Sequence, residues 1–142
     1  MPYLWAAYRM GVWKDTFKDD LTKDEFTLAV SDLSEMTNIL AIIAPNGGKQ
    51  TPVGVIIAGE GLRYIEPHVD WFPWATDRNK LEGIIRGILT LREIKPLFIW
   101  CDEKDIDFYA HVSKYGILRR VGTFNGDKKY SIFQSKEKKK EI

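Results

Sequence analysis

Glu66, His68 and Asp70 stand at i, i+2 and i+4, so on a strand all three side chains project from one face. Carboxylates around an imidazole hold its pKa near neutrality, and a group so tuned can take a proton at neutral pH. Glu66 or His68 is therefore a candidate general base. A solvated polar face on an edge-like strand is the competing reading. The trio also has donors suited to a divalent metal, but two carboxylates and one histidine recur in sequences too often to specify one. Just beyond, Trp71 and Trp74 flank Phe72-Pro73. Buried indoles seek a partner for their N–H, so these two either wall a binding groove or fill an aromatic core. Their interleaving with Arg78 and Lys80 would also suit stacking and clamping of a nucleobase or phosphate. Cys101 ends an apolar run with no histidine and asparagine arrangement beside it, which favours a core thiol over a nucleophile.

The elements that must position these residues follow from periodicity and punctuation. Leu4, Trp5, Tyr8 and Val12 recur near helical spacing, and Thr22 with Glu25 makes a capping box, which predicts two helices within the first 36 residues or so. Ile39–Ala44 and Val53–Ala58 are short β-rich runs around Pro45-Asn46-Gly47-Gly48, a hairpin with a connection longer than two residues. Tyr64 to Trp74 alternates polar and bulky residues, with Pro67 and Pro73 predicting an irregular or bulged strand. Thr76 or Asp77 caps a helix carrying Leu81, Ile84, Ile85, Ile88, Leu89 and Leu91 until Lys95-Pro96. Pro96–Cys101 reads as a buried strand and Asp102–Lys114 as a helix with Ile106, Tyr109 and Val112 inward, ended by Gly116. His111 falls on the surface of that helix. Arg119–Thr123 and Tyr130–Phe133 close the chain as a hairpin around Asn125-Gly126-Asp127. The order is α-α-β-β-β-α-β-α-β-β.

Composition bounds the partners. A chain of 142 residues, 44% apolar and 13% aromatic, suits one domain over 1–135 with a charged, solvated tail over 136–142. Twenty-one basic against 20 acidic residues leave a net charge of +1, which gives no global field for nucleic acid or an anionic membrane, although nucleic acid stays open as a partner. No apolar run approaches a bilayer span and the Met1-Pro2-Tyr3 start is no export signal, so a cytoplasmic protein without membrane partners is expected. A lone cysteine and the lack of a zinc-spaced Cys/His cluster fit a reducing compartment and no metal. Oligomeric state has no signal.

The run from residue 66 to 122 resembles the cofactor half of acyl-CoA-dependent N-acyltransferases of the GNAT superfamily: strand, helix, strand, aromatic-bearing helix, glycine, outgoing strand. The resemblance implies an α/β (α+β) fold with a mixed, mostly antiparallel central sheet, helices on both faces and a possible short strand before Leu4. It implies acetyl-CoA or another acyl-CoA as cofactor and an amine as acceptor. The superfamily's pyrophosphate pattern, Arg/Gln-x-x-Gly-x-Gly/Ala, falls on Thr76 to Gly83, where Arg78, Asn79 and Lys80 stand at the start of the crossover helix without the pattern's early glycines. Trp71 and Phe72 would then run along the pantetheine. The second signature, an asparagine and a Phe-Tyr ahead of a glycine, is similar to Asp102, Phe108-Tyr109 and Gly116, with aspartate for asparagine. It implies Tyr109 as the acid that protonates the departing thiolate, against an aromatic packed in the core. The Glu66–Thr76 stretch joined to this ending also resembles small GNAT-like proteins of tailed bacteriophages. Those include amine acyltransferases, a branch that modifies adenine in phage DNA, and virion or assembly proteins whose partners are other virion subunits.

Overall fold

The computed structural model describes residues 2–13, 16–46, 48–61, 63–126 and 129–136. In chain order the elements are α1 (Pro2–Arg9), α2 (Lys23–Met36), β1 (Asn38–Asn46), β2 (Lys49–Glu60), β3 (Ile65–Trp71), α3 (Asp77–Leu91), β4 (Phe98–Asp102), a 3-10 turn (Glu103–Asp105), α4 (Ile106–Ser113), β5 (Leu118–Asn125) and β6 (Lys129–Ser135). The expected order is present. So is the mixed, mostly antiparallel arrangement, as two three-stranded sheets ordered β1-β2-β3 and β4-β6-β5. One parallel bridge joins Ile65 to Leu97. The charged end from Glu137 onward and the Asp127 position of the last turn lie outside the described residues.

By its contacts the chain forms two compact units, Met1–Ala58 with Val69–Gly83 and Gly59–His68 with Ile84–Ile142. In the first unit, α2 starts on the predicted capping box: Thr22 Oγ1 accepts the Glu25 amide at 3.2 Å and Glu25 Oε1 accepts the Thr22 amide at 3.1 Å. The core there is Ala7, Trp13, Phe26, Val55 and Phe72. Phe26 is its centre, with the Tyr8 ring stacked at 4.8 Å and the Trp5 ring tilted at 5.6 Å. Among the described residues no strand precedes Leu4, because α1 already takes Pro2 to Arg9.

The first hairpin is tighter than expected. Its ladder continues past the apolar runs to Asn46 opposite Lys49, leaving two residues between them. Pro52, inside central β2, is accommodated by a register shift: Ile42 faces Gly54 and Ile43 faces Pro52, so Val53 is extra. A proline cannot donate to a ladder and is tolerated in a sheet at such a bulge. The irregularity assigned to β3 from its prolines thus has a clear counterpart in β2, while β3 runs as strand from Ile65 to Trp71 through Pro67.

In the second unit, β4-β6-β5 is a two-faced sheet. Ile99 pairs with Phe133 and Cys101 with Ser131 on the buried face, against which α4 places Tyr109 and Val112. Trp100 opposite Ile132, and Phe124 opposite Tyr130, lie on the other face, where Trp100 and Phe124 are about half exposed. The predicted helix from Asp102 opens as the 3-10 turn and becomes α-helical only at Ile106. Gly116, at φ +78°, turns the chain out of α4 as the sequence predicts.

Candidate functional site

The amino end of α3 is where an anion would sit, because the first amides of a helix have no intrahelical acceptor. Thr76 is the cap: its Oγ1 accepts the Asn79 amide at 3.1 Å, and Asn79 Oδ1 accepts the Thr76 amide at 3.1 Å. Asn79 is thereby committed to capping rather than to a ligand. The amides of Asp77 and Arg78 remain for an anion, while Asp77 adds a negative charge to the turn. Arg78 is exposed and its Nε donates to Glu82 Oε1 at 2.8 Å, an i,i+4 pair that aims the guanidinium along the helix. Such an exposed pair is weak enough for a phosphate to displace. Lys80 is half-buried, with its amide bonded to the Thr76 carbonyl at 3.0 Å. Two cations against one carboxylate within residues 77–80 fit a pyrophosphate in charge, with fewer free amides than the glycine-bearing pattern offers.

On β3 the alternation puts Ile65 and Pro67 inside and Glu66 and His68 in solvent. Asp70 does not share their exposure. Its Oδ2 accepts the Trp13 Nε1–H at 2.7 Å, so the polar trio read from spacing is a pair plus a carboxylate tied to the aromatic core. Glu66 and His68 belong to the second unit, as does Tyr109; Trp71, Phe72, Arg78, Asn79 and Lys80 belong to the first.

The aromatic positions are corrected toward packing. Phe72 is 1% exposed, edge-on to Trp13 at 5.8 Å and tilted against Trp74 at 5.1 Å, so it offers a ligand no side-chain surface. Trp74 Nε1 donates to the Pro52 carbonyl at 2.8 Å, which satisfies the indole inside the protein. Trp71 is half-buried in a slot made by two glycines: a Cβ on Gly54 would stand 2.7 Å from its Cε3, and one on Gly83 3.6 Å from its Cη2. Gly83, the one glycine of the 76–83 stretch, serves this close packing rather than a phosphate.

Tyr109 is 7% exposed, its ring 5.9 Å from Phe133. Burial, with the charge of Asp105 next, pushes its phenol well above the ordinary value, so it stays protonated across the neutral range. Cys101 is a buried free thiol whose pKa burial raises to about 11. Beside it Asp102 keeps a buried Oδ1 with no partner among the described residues. No group of three or more His, Cys, Asp or Glu residues is placed to hold a metal among the described residues, and no helix there is long and apolar enough to cross a membrane.

No family model matches the chain, and no curated protein matches it in sequence. Solved structures do. A Bordetella pertussis protein assigned to the GNAT acetyltransferases is 12% identical, with a TM-score of 0.62 over 95% of this chain and 88% of that one. The ribosomal-protein-S18-alanine N-acetyltransferase of Escherichia coli is also 12% identical, with a TM-score of 0.56 over 94% and 85%. The aminoglycoside 6'-N-acetyltransferase of Enterococcus faecium is 11% identical, with a TM-score of 0.56 over 94% and 88%. At these identities the likeness is one of architecture, and the chain has the fold of the GNAT acetyltransferases.

Proposed function

We propose that this protein is an acyl-CoA-dependent N-acyltransferase that moves an acetyl or other acyl group to an amine, with residues 1–135 working as one domain. The observation that carries the reading is the parallel bridge between Ile65 and Leu97. β3 and β4 start side by side there, yet β3 is the edge of one sheet and β4 the edge of another. An edge strand keeps a row of N–H and C=O groups without ladder partners, which suits an amide-bearing pantetheine arm added as a strand. Arg78 and Lys80 supply the charge for pyrophosphate, and Trp71 the apolar side of the arm.

Acyl-CoA, when bound, supplies a thioester carbonyl open to attack by an amine. Glu66 or His68, both exposed, takes the proton that the amine must lose as its nitrogen–carbon bond forms. Tyr109, held protonated by burial, donates a proton to the sulfur as the carbon–sulfur bond breaks. The test is calorimetric titration with acetyl-CoA and with CoA, repeated on Arg78→Ala with Lys80→Ala. Micromolar binding weakened by those changes supports the reading; no binding at millimolar ligand ends it.

One observation favours a second reading. The α3 amino end is capped in part by its own side chains and carries no glycine from Thr76 to Glu82. That suits a phage-encoded protein which keeps the fold for docking to other virion or assembly proteins. A phage enzyme acting on DNA bases is a further alternative, with an exocyclic base amine as acceptor. Failure of the titration, with the protein found in assembled particles, would favour the docking role.

A further inference from the structure

We propose that the face of β4-β6-β5 opposite α4 is where a second copy of this chain docks, sheet against sheet, about a two-fold axis running along β6. Trp100 pairs with Ile132 and Ile132 with Gly122, so these three form one row across the sheet. Asp102, Tyr130 and Phe124 make the row on one side of it, and Phe98, Gln134 and Arg119 the row on the other.

The area of this face is on the scale of an interface. Trp100 is 51% exposed and Phe124 57%, which leaves on the order of 100 Å² of each side chain in solvent. Neither has a ring or hydrogen-bond partner among the described residues. Val121, exposed at the β5 bulge, and Tyr64, edge-on to Phe98 at 5.2 Å, widen the apolar surface at its two sides. Several hundred Å² of contiguous apolar surface marks an interaction site, and with its polar rim the face approaches the roughly 800 Å² that a stable dimer buries on each partner.

The shape says that the partner is another copy. A Cβ on Gly122 would meet nothing within 4 Å, so the central row has a notch at β5, a knob at β4 in Trp100, and Ile132 midway between them. Knob and notch stand about 10 Å apart, two strand spacings. A two-fold axis over Ile132 exchanges the two sides, so Trp100 of one copy enters the notch at Gly122 of the other and the same contact recurs across the axis. The strands of the two copies then run nearly aligned, as in ordinary sheet-on-sheet packing. The same operation sets Phe98 over Arg119 of the other copy, a cation–π pairing. A net charge of +1 brings little repulsion between copies. This assignment does not depend on acyl transfer.

Sedimentation equilibrium of the full chain from about 1 µM to about 0.5 mM tests it, with a monomer–dimer equilibrium of Kd on the order of 10 µM expected. Trp100→Ala should weaken the dimer at least about tenfold, and Gly122→Trp, which fills the notch, by about as much. Trp100→Ala combined with Gly122→Trp exchanges knob and notch, and should return the affinity to within about threefold of the parent. A second measurement leaves the parent packing in place. With 5-fluorotryptophan incorporated, the fluorine resonance of Trp100, assigned by its loss in Trp100→Phe, should move as the protein is diluted through the Kd. A monomer at about 0.5 mM, a dimer indifferent to Trp100→Ala, a double variant no tighter than the single ones, or a Trp100 resonance fixed on dilution would each overturn the assignment.

Discussion

The indole Nε1 of Trp13 donates to the Asp70 carboxylate at 2.7 Å, joining the turn after α1 to β3 across 57 positions of sequence. Trp13 pays for this with a left-handed backbone, φ +65°, which a bulky residue adopts only when its surroundings compel it. Those surroundings are Phe72, Phe17 and Phe26, each ring centre within 6.3 Å of the indole. Trp13→Phe keeps much of the packing and loses the bond to a charged acceptor. It should lower stability by about 2 kcal/mol in urea unfolding. Asp70→Asn should leave any transferase activity close to that of the parent, since the base is assigned to Glu66 or His68.

Gly54 and Gly83 make the space that Trp71 occupies. A Cβ on Gly54 would approach Trp71 Cε3 to 2.7 Å and the Asp70 carbonyl oxygen to 3.0 Å, and one on Gly83 would approach Ile42 Cγ2 to 2.4 Å. Gly83→Ala gains about 1 kcal/mol of helix propensity but forces Ile42, buried in the sheet, to move. Both alanine variants should be destabilised, Gly54→Ala the more because backbone cannot yield. Ile42→Ala combined with Gly83→Ala should cost less than the sum of the two single changes in thermal unfolding.

At the amino end of α3, Thr76→Ala should cost about 1 kcal/mol of stability through loss of the cap. Asp77→Asn acts oppositely on ligand. Removing a carboxylate from the first turn should raise acetyl-CoA affinity by about two- to fivefold by calorimetry, the scale of a helix-end charge interaction. Unchanged affinity would place the pyrophosphate elsewhere.

Tyr109 separates packing from proton transfer. Its hydroxyl has no hydrogen-bond partner among the described residues, so Tyr109→Phe should leave stability within about 0.5 kcal/mol. As the proton donor it should nonetheless lower kcat by about 100-fold with KM little changed, in steady-state assays with an amine acceptor.

Cys101 makes stability depend on pH at the alkaline end. Burial raises its folded pKa from 9.0 to about 11, so the folded state holds the proton more tightly than the unfolded state. The contribution is complete below pH 9 and is lost as pH rises toward 11. Cys101→Ala should flatten the fall in melting temperature across that window. In the parent, thiol labelling at pH 8 should be about 100-fold slower than for an exposed cysteine, because so little thiolate is present.

Much of the second unit was legible in the chain. Gly116 ends α4, Tyr109 and Val112 face in, His111 faces out, and the last two strands pair as read. These depend on helical period, strand alternation and turn chemistry within a few residues. The candidate site was legible only in part. Glu66 and His68 share an exposed face as their spacing requires, but Asp70 is held by a tryptophan that no local pattern connects to it. Phe72, read as lining for a ligand, is core because Trp13, from an earlier element, packs edge-on against it in the same cluster as Phe26.

Sequence alone determined the order of elements, the cap at Thr22, a cap at Thr76 or Asp77 that the structure places at Thr76, and the closing glycine, because each depends on dihedral preference and hydrogen bonds between near neighbours. It also carried the resemblance to an acyltransferase fold that solved structures share at 12% identity or less in the comparisons above. Only the tertiary structure decided which polar and aromatic groups were left for chemistry. The Trp71 slot, the Trp13–Asp70 bond, the two-residue hairpin turn and the parallel Ile65–Leu97 bridge all depend on register and on residues far apart in the chain. Those contacts form only when the elements pack, and the energy that selects them is shared among many side chains rather than written in any one stretch.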